Sequence, residues 1–322
     1  MNNMNVTERI LVLGAGGQLG SELVDALCQQ HGADNVWATD IRPLNTACPN
    51  QVLDAMDRDA LQEILEREQI TQVYHLAALL SAKGEDNPQL AWRLNMDSLL
   101  YVLELARETQ VHRIFWPSSI AVFGPNTPRV NTPQQPFMDP NTMYGVTKLA
   151  GERLCAYYHH KYGLDVRSLR YPGLIGSKAL PGGGTTDYAV DIFHQALDKG
   201  QYTSFLNANT RLPMLYMEDA VRATLELMQA PAEQIQVRDS YNLAGISFTP
   251  EELGEAIQAK MPEFMLDYAP DFREQIARSW PESIDDSAAR ADWGWAHKYG
   301  LEELVDVMFK ELQSQRTQTA SA

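Results

Sequence analysis

The stretch Ile10-Leu11-Val12-Leu13-Gly14-Ala15-Gly16-Gly17-Gln18-Leu19-Gly20 decides how this chain folds. Four consecutive apolar residues predict a strand covered on both faces, as in a parallel sheet. The amphipathic run over 18–30 predicts a helix. Between them, glycines at 14, 17 and 20 stand in GxxGxxG spacing, with Gly16 in addition. Glycine permits a tight turn and lets a ligand approach the backbone, and the helix that follows offers its free N–H groups to an anion. The bland reading is a strand–helix turn without a ligand. Strand, glycine turn and helix in this order favour a dinucleotide whose pyrophosphate lies against Gly14, Gly17, Gln18, Leu19 and Gly20.

Outward from this loop the alternation continues. Strands are predicted at 36–39, 51–53, 73–78, 113–118 and 166–171, and helices at 57–68, 88–109 and 142–162. Such alternation implies right-handed βαβ units and a parallel sheet. After Pro172 the rhythm changes: 181–186 is a glycine-rich loop, helices are predicted at 187–199, 218–229, 250–260 and 301–313, 264–286 reads as irregular, and the polar tail 315–322 as frayed. The expected fold is α/β, a Rossmann-type doubly wound parallel sheet with a smaller C-terminal α/β lobe. The dinucleotide-binding domain is expected at 1–176 with 212–245, and the substrate lobe at 177–211 with 246–322.

Bulk properties narrow the partners. The net charge of −16 argues against nucleic acid and anionic membrane, which attract clustered Lys and Arg. The cysteines, Cys28, Cys48 and Cys155, form no CxxC or Cys/His cluster, so no metal site is expected, and so sparse a set fits a reduced cytoplasmic protein. Met1-Asn2-Asn3-Met4 is polar and no signal peptide, and no apolar run is long enough to span a bilayer.

Asp40 ends the second predicted strand, twenty residues after Gly20. An acid there accepts hydrogen bonds from ribose hydroxyls and repels a 2′-phosphate, which favours NAD over NADP. Arg42 weakens that inference, because a nearby guanidinium can hold a 2′-phosphate. Tyr144-Gly145-Val146-Thr147-Lys148 opens a predicted helix, and residues four apart share a face. A free phenol has a pKa of about 10, and a neighbouring ammonium is expected to lower it toward a usable base. Ser118 and Ser119 end a predicted strand, where an α/β sheet presents its ligands, and are candidates to hold a substrate hydroxyl.

With these residues in place the chain resembles the extended branch of the short-chain dehydrogenase/reductase family along essentially its whole length. The YxxxK element is matched by Tyr144 and Lys148, and the strand-end serine by Ser119 in Ser118-Ser119-Ile120-Ala121-Val122-Phe123-Gly124. The resemblance implies a Tyr144 phenolate that takes the proton of a substrate alcohol while hydride passes to nicotinamide, with Lys148 also reaching the nicotinamide ribose. It further implies that Leu53 and Asp54 meet adenine, that the backbone of Leu76, Ala77 and Ala78 lies beside phosphates and ribose, that Asn95 supports the relay, and that Tyr171 and Pro172 flank the nicotinamide. The family's paired helices imply a homodimer through 88–109 and 142–162.

Loops set the chain apart within that family. Leu79-Leu80-Ser81-Ala82, Pro181-Gly182-Gly183-Gly184-Thr185-Thr186-Asp187-Tyr188-Ala189 and Ser279-Trp280-Pro281 resemble the metal-independent L-threonine 3-dehydrogenase group. That resemblance implies oxidation of the 3-hydroxyl of L-threonine to 2-amino-3-oxobutyrate. The residues suit a zwitterion, whose charges need partners when buried. Thr185, Thr186 and the amides of Gly183 and Gly184 can donate to a carboxylate. Asp187 can take the ammonium or cap the next helix, Ser81 can touch substrate, and Trp280 closes the pocket or packs in the core. The rival is a nucleotide-sugar epimerase or dehydratase with the same Ser-Tyr-Lys relay, for which Arg211 and Asp219 stand at a phosphate-contacting segment. Phe123, where that family commonly has tyrosine, disfavours sugar chemistry. A non-catalytic NAD sensor is disfavoured by the intact Ser119, Tyr144 and Lys148.

Overall fold

The computed structural model describes residues 7–180, 182 and 184–321. The first half runs β1 (Ile10–Leu13), α1 (Gln18–His31), β2 (Val36–Asp40), β3 (Asn50–Val52), α2 (Arg58–Arg67), β4 (Gln72–His75), α3 (Ser81–Asp86), α4 (Pro88–Trp92), α5 (Ser98–Glu108), β5 (Arg113–Phe115), β6 (Ser118–Ser119) and α6 (Met143–Tyr162). There follow β7 (Asp165–Arg167), β8 (Leu169–Tyr171), β9 (Gly173–Ile175), α7 (Tyr188–Lys199), β10 (Gln201–Ser204), β11 (Leu212–Tyr216), α8 (Met217–Gln229), β12 (Tyr241–Asn242), β13 (Ile246–Phe248), α9 (Pro250–Gln258), β14 (Met265–Tyr268), α10 (Phe272–Arg278), α11 (Ser287–Trp293) and α12 (Leu301–Ser321).

The central sheet has the order β3-β2-β1-β4-β5-β7, and every pair in it is parallel. Alternate residues of β1 serve two cores: Ile10 and Val12 pack with α1 and α8, while Leu11 and Leu13 pack with α2 and α5. Helices therefore cover both faces, which makes the sheet doubly wound. Between β1 and β4 the strand order reverses, and the loops leaving those two strands open a crevice at their carboxyl ends, the usual ligand position in such sheets. A third core joins residues 120–123 to α7, β11, α9 and α12.

Several expected elements differ. The strand expected at 113–118 leaves the central sheet after Phe115, and Ser118–Ser119 pairs instead with β8. Pro117 lacks the N–H a ladder needs, so the chain changes sheets there. Likewise 166–171 divides at Ser168: Val166 and Arg167 pair with β5, while Leu169 and Arg170 pair with β12. The strand expected at 73–78 stops at His75, which leaves Leu76, Ala77 and Ala78 as loop. The helix expected over 88–109 is interrupted by a π-helical turn, Arg93–Asp97. The region 264–286 is not irregular, since it contains β14 and α10. Nor does the helical backbone end before the tail, because α12 continues to Ser321. Residues 1–4, read above as lacking a signal, lie outside the described residues.

Candidate active site

The glycine loop is built for close approach. Gly14 holds φ +80°, and a Cβ on it would stand 2.7 Å from the Ala77 nitrogen. A Cβ on Gly20 would stand 2.4 Å from the Gly14 oxygen. Only glycine lets β1, the loop after β4 and the start of α1 meet here. Gly17 is the N-cap of α1 and offers no side-chain cap, and no acidic residue occupies the first turn. Those N–H groups stay available to an anion. Asp40 is buried at the end of β2. Its carboxylate accepts the Gly16 N–H at 3.0 Å and the Arg42 N–H at 3.1 Å. The Arg42 guanidinium is exposed and turns back onto Asp40 and the Gly16 carbonyl. Leu53 is buried and donates its N–H to the Asp40 carbonyl at 2.9 Å, whereas Asp54 is exposed and bonds the Met56 N–H. An uncapped helix start, a cradle that a Cβ would fill and a carboxylate at the second strand end together fit a dinucleotide.

The catalytic candidates converge from two elements. Tyr144 lies in the first turn of α6, which Thr142 caps by accepting the Gly145 N–H. Gly145 allows α6 to lie against residues 120–122, since a Cβ there would stand 2.1 Å from the Ala121 oxygen. This contact sets Ser119, at the end of β6, against the Tyr144 phenol, and the two hydrogen-bond. Burial pushes the phenol pKa up to about 12, and the Ser119 bond opposes that rise. The expected lowering by Lys148 is absent. Lys148 is 2% exposed. Its ammonium donates to the Pro117 carbonyl at 2.6 Å and stands 4.4 Å from the Trp116 ring centroid and 5.6 Å from that of Tyr144. Burial brings the lysine pKa down to about 7, opposed by Cys155 and Glu152.

Beneath the serines lies a network that the sequence reading missed. Glu152 accepts from Ser118 Oγ at 2.6 Å and from Arg170 Nε and Nη2, each at 2.8 Å, with both charges buried. Ser118 is thus turned to Glu152 and away from any substrate, which corrects its expected role. The available signal was that Glu152 stands four residues after Lys148, on the same face of α6. Asn95 sits in the π-helical turn, bonds both backbone polar groups of Leu79, and donates to Thr147 Oγ1 at 3.1 Å. It thereby ties the loop after β4 to the relay helix.

The remaining candidates divide. Ser81 is buried at the start of α3, which packs on α6, and a Cβ on Gly84 would stand 3.9 Å from the Tyr144 nitrogen. Thr185 is buried and its hydroxyl has no hydrogen-bond partner among the described residues, so it is available to a ligand. Thr186 packs beside Gly173, and Gly173 follows Pro172. Gly183 lies outside the described residues. Asp187 makes no side-chain cap of α7; it accepts the Gly184 N–H at 2.8 Å and so fixes the glycine-rich loop. Tyr171 turns its ring into the core and its hydroxyl to Thr224, so only its backbone can face a cofactor. Gln18 reaches the Leu180 carbonyl at 3.3 Å, and Leu19 is half-buried. Trp280 is 4% exposed, in the apolar cluster against which Tyr144 leans.

The features expected of the sugar-nucleotide rival are used internally. Arg211 bonds the Ser247 carbonyl and pairs with Glu252. Asp219 is buried and accepts from Arg222 and from the N–H groups of Lys298 and Tyr299. Phe123 is buried, 5.4 Å from the Arg170 guanidinium. Among the described residues no group of three or more His, Cys, Asp or Glu is placed to hold a metal ion, and no helix is long and apolar enough to cross a membrane.

Comparison with known proteins agrees with this geometry. The chain is 47% identical to an uncharacterized epimerase/dehydratase of Staphylococcus aureus over 316 residues, 96% of this chain and 98% of that one. Among solved structures it is similar to the holo form of a GalE-like L-threonine dehydrogenase from Cupriavidus necator, with TM-score 0.93, 56% identity, and coverage of 94% of this chain and 99% of that one. It is also similar to a monomeric L-threonine 3-dehydrogenase of metagenomic origin, in its apo form, with TM-score 0.93, 46% identity, and coverage of 95% and 99%. The pattern describing the NAD dependent epimerase/dehydratase family matches residues 10–244, and the chain belongs to that family.

Proposed function

We propose that this chain oxidises the 3-hydroxyl of L-threonine to 2-amino-3-oxobutyrate with NAD. The observation that carries the reading is the meeting of Ser119 and Tyr144 at the crevice beside the glycine loop, with the glycine-rich loop of the solved L-threonine dehydrogenases' group nearby in sequence at 182–187. NAD, when bound, supplies the acceptor for the hydride. Its pyrophosphate would lie on Gly14, Gly17, Gln18, Leu19 and Gly20, its ribose at Asp40 with Arg42 alongside, and its adenine at Leu53 and Asp54. Leu76, Ala77, Ala78, Asn95, Tyr171 and Pro172 would border the rest.

Ser119 holds the substrate hydroxyl, and Tyr144 removes its proton. The alcohol carbon loses its hydrogen as hydride, so the alcohol becomes a ketone and one proton remains for solvent. Lys148 holds the nicotinamide ribose and adds positive charge near the phenol when the cofactor draws it from Pro117. Gly184, Thr185 and Thr186 receive the carboxylate, Ser81 borders the pocket, Asp187 shapes the loop through Gly184, and Trp280 backs the site.

We place the NAD-binding domain at 1–176 with 212–245, the substrate lobe at 177–211 with 246–322, and the protein in the cytoplasm. The test is spectrophotometric. With NAD present, L-threonine should produce NADH absorbance and UDP-sugars should not. Turnover with a UDP-sugar alone would sink the threonine reading.

A further inference from the structure

A cavity of about 390 Å³ opens in the C-terminal lobe among α7, β10 and the start of α10. Asp187, Asp191, Tyr202, Phe205, Asp271 and Arg273 line it, and Ser119, Tyr144 and Lys148 do not. Ionised, its walls carry three carboxylates against one guanidinium. That guanidinium is occupied: Arg273 pairs with Asp271 at 2.6 Å and lies 3.2 Å from the Phe205 ring centroid. The charge balance of the cavity is therefore negative and set by Asp187 and Asp191. Asp187 accepts the Gly184 N–H, and Asp191 accepts the Gln195 side-chain amide at 3.2 Å.

A second observation is independent of the acids. Tyr202 is 6% exposed, and its hydroxyl has no hydrogen-bond partner among the described residues. Native proteins rarely leave such a group unsatisfied. Its oxygen faces the cavity's charges. Burial raises the phenol pKa first, Asp191, Asp187 and Asp271 raise it further, and Arg273 opposes them.

We propose that this cavity binds a small organic cation through a primary ammonium group, held by the Asp187 and Asp191 carboxylates and the Tyr202 hydroxyl. An ammonium carries three donors and no acceptor, which matches two carboxylates and a phenol oxygen. A zwitterion would bring a carboxylate into walls already acidic. A multivalent metal is disfavoured because the acids do not gather into a coordinating group. Phe205 and Ala269 supply apolar wall for the carbon stem. Asp191 and Tyr202 have no part in the proposed oxidation, so the two readings stand or fall separately.

The test is calorimetric titration of the full chain with 1,4-diaminobutane at constant ionic strength, with butane-1,4-diol and ammonium chloride in parallel. The diamine should give saturable heat at one site per chain, and the diol none. Asp191→Asn should weaken binding by about 10-fold or more, and Tyr202→Phe by about threefold, with kcat for L-threonine unchanged. Absence of saturable heat with the unmutated chain overturns the proposal, whatever the variants do. So does equal binding in both variants. Ammonium chloride binding as tightly as the diamine would assign the cavity to an inorganic ion and overturn it equally.

Discussion

Tyr144 and Lys148 have pKa values moved by one cause in opposite directions: burial disfavours phenolate and ammonium alike, giving about 12 for the phenol and about 7 for the amine. A base with a raised pKa gains its active form as pH rises. The kcat/KM for L-threonine should therefore climb from about pH 7 to about pH 10. A profile that falls across that interval would remove Tyr144 as the base. Tyr144→Phe tests the same residue without a pH change. It should cut kcat by about 100-fold or more and leave NAD affinity within about threefold, read by fluorescence titration. Retention of more than a few per cent of the rate would assign proton removal elsewhere. The pair was legible in the sequence because four residues on a helix fix a shared face. The direction of the phenol's shift was not, because Lys148 spends its proton on the Pro117 carbonyl, contributed by a different element.

At the scale of elements, the site depends on how closely α6 approaches the turn after β6. Gly145 makes that approach possible, with no room for a Cβ beside the Ala121 oxygen. Gly145→Ala should push α6 outward and separate Ser119 from Tyr144. The expected result is a loss of kcat larger than the change in KM, together with about 1–3 kcal/mol of destabilisation in urea unfolding. Unaltered kcat would show that the contact is dispensable. The sequence marked Tyr144 and Lys148 as candidates, yet Gly145 between them passed as a helix residue of no consequence. The same holds for the strand breaks at Pro117 and Ser168. A run of apolar residues predicts extended chain, but which sheet each half joins is settled by neighbours far away in sequence, as Ser118 opposite Arg170 shows.

For the molecule as a whole, α4, α5 and α6 leave Leu90, Trp92, Leu100, Val146 and Tyr157 exposed. We propose that a second copy covers this face, in the homodimer expected from 88–109 and 142–162, as symmetric pairing of one patch with itself is the commonest assembly. Sedimentation equilibrium should report twice the mass of one chain. A single species at the mass of one chain, the state of the monomeric solved relative, would overturn it.

By itself the sequence determined the order of strands and helices, the glycine loop, Asp40 and the Tyr144–Lys148 spacing. These are local facts, set by periodicity, steric freedom and helix geometry within a few residues. Only the tertiary structure decided that Ser119 meets the phenol while Ser118 bonds Glu152, that Asp187 holds Gly184 and does not cap α7, and that Tyr202 faces a cavity of acids. Each of those depends on segments brought together across the fold, and burial there reverses what the residues' free chemistry would predict for their charges.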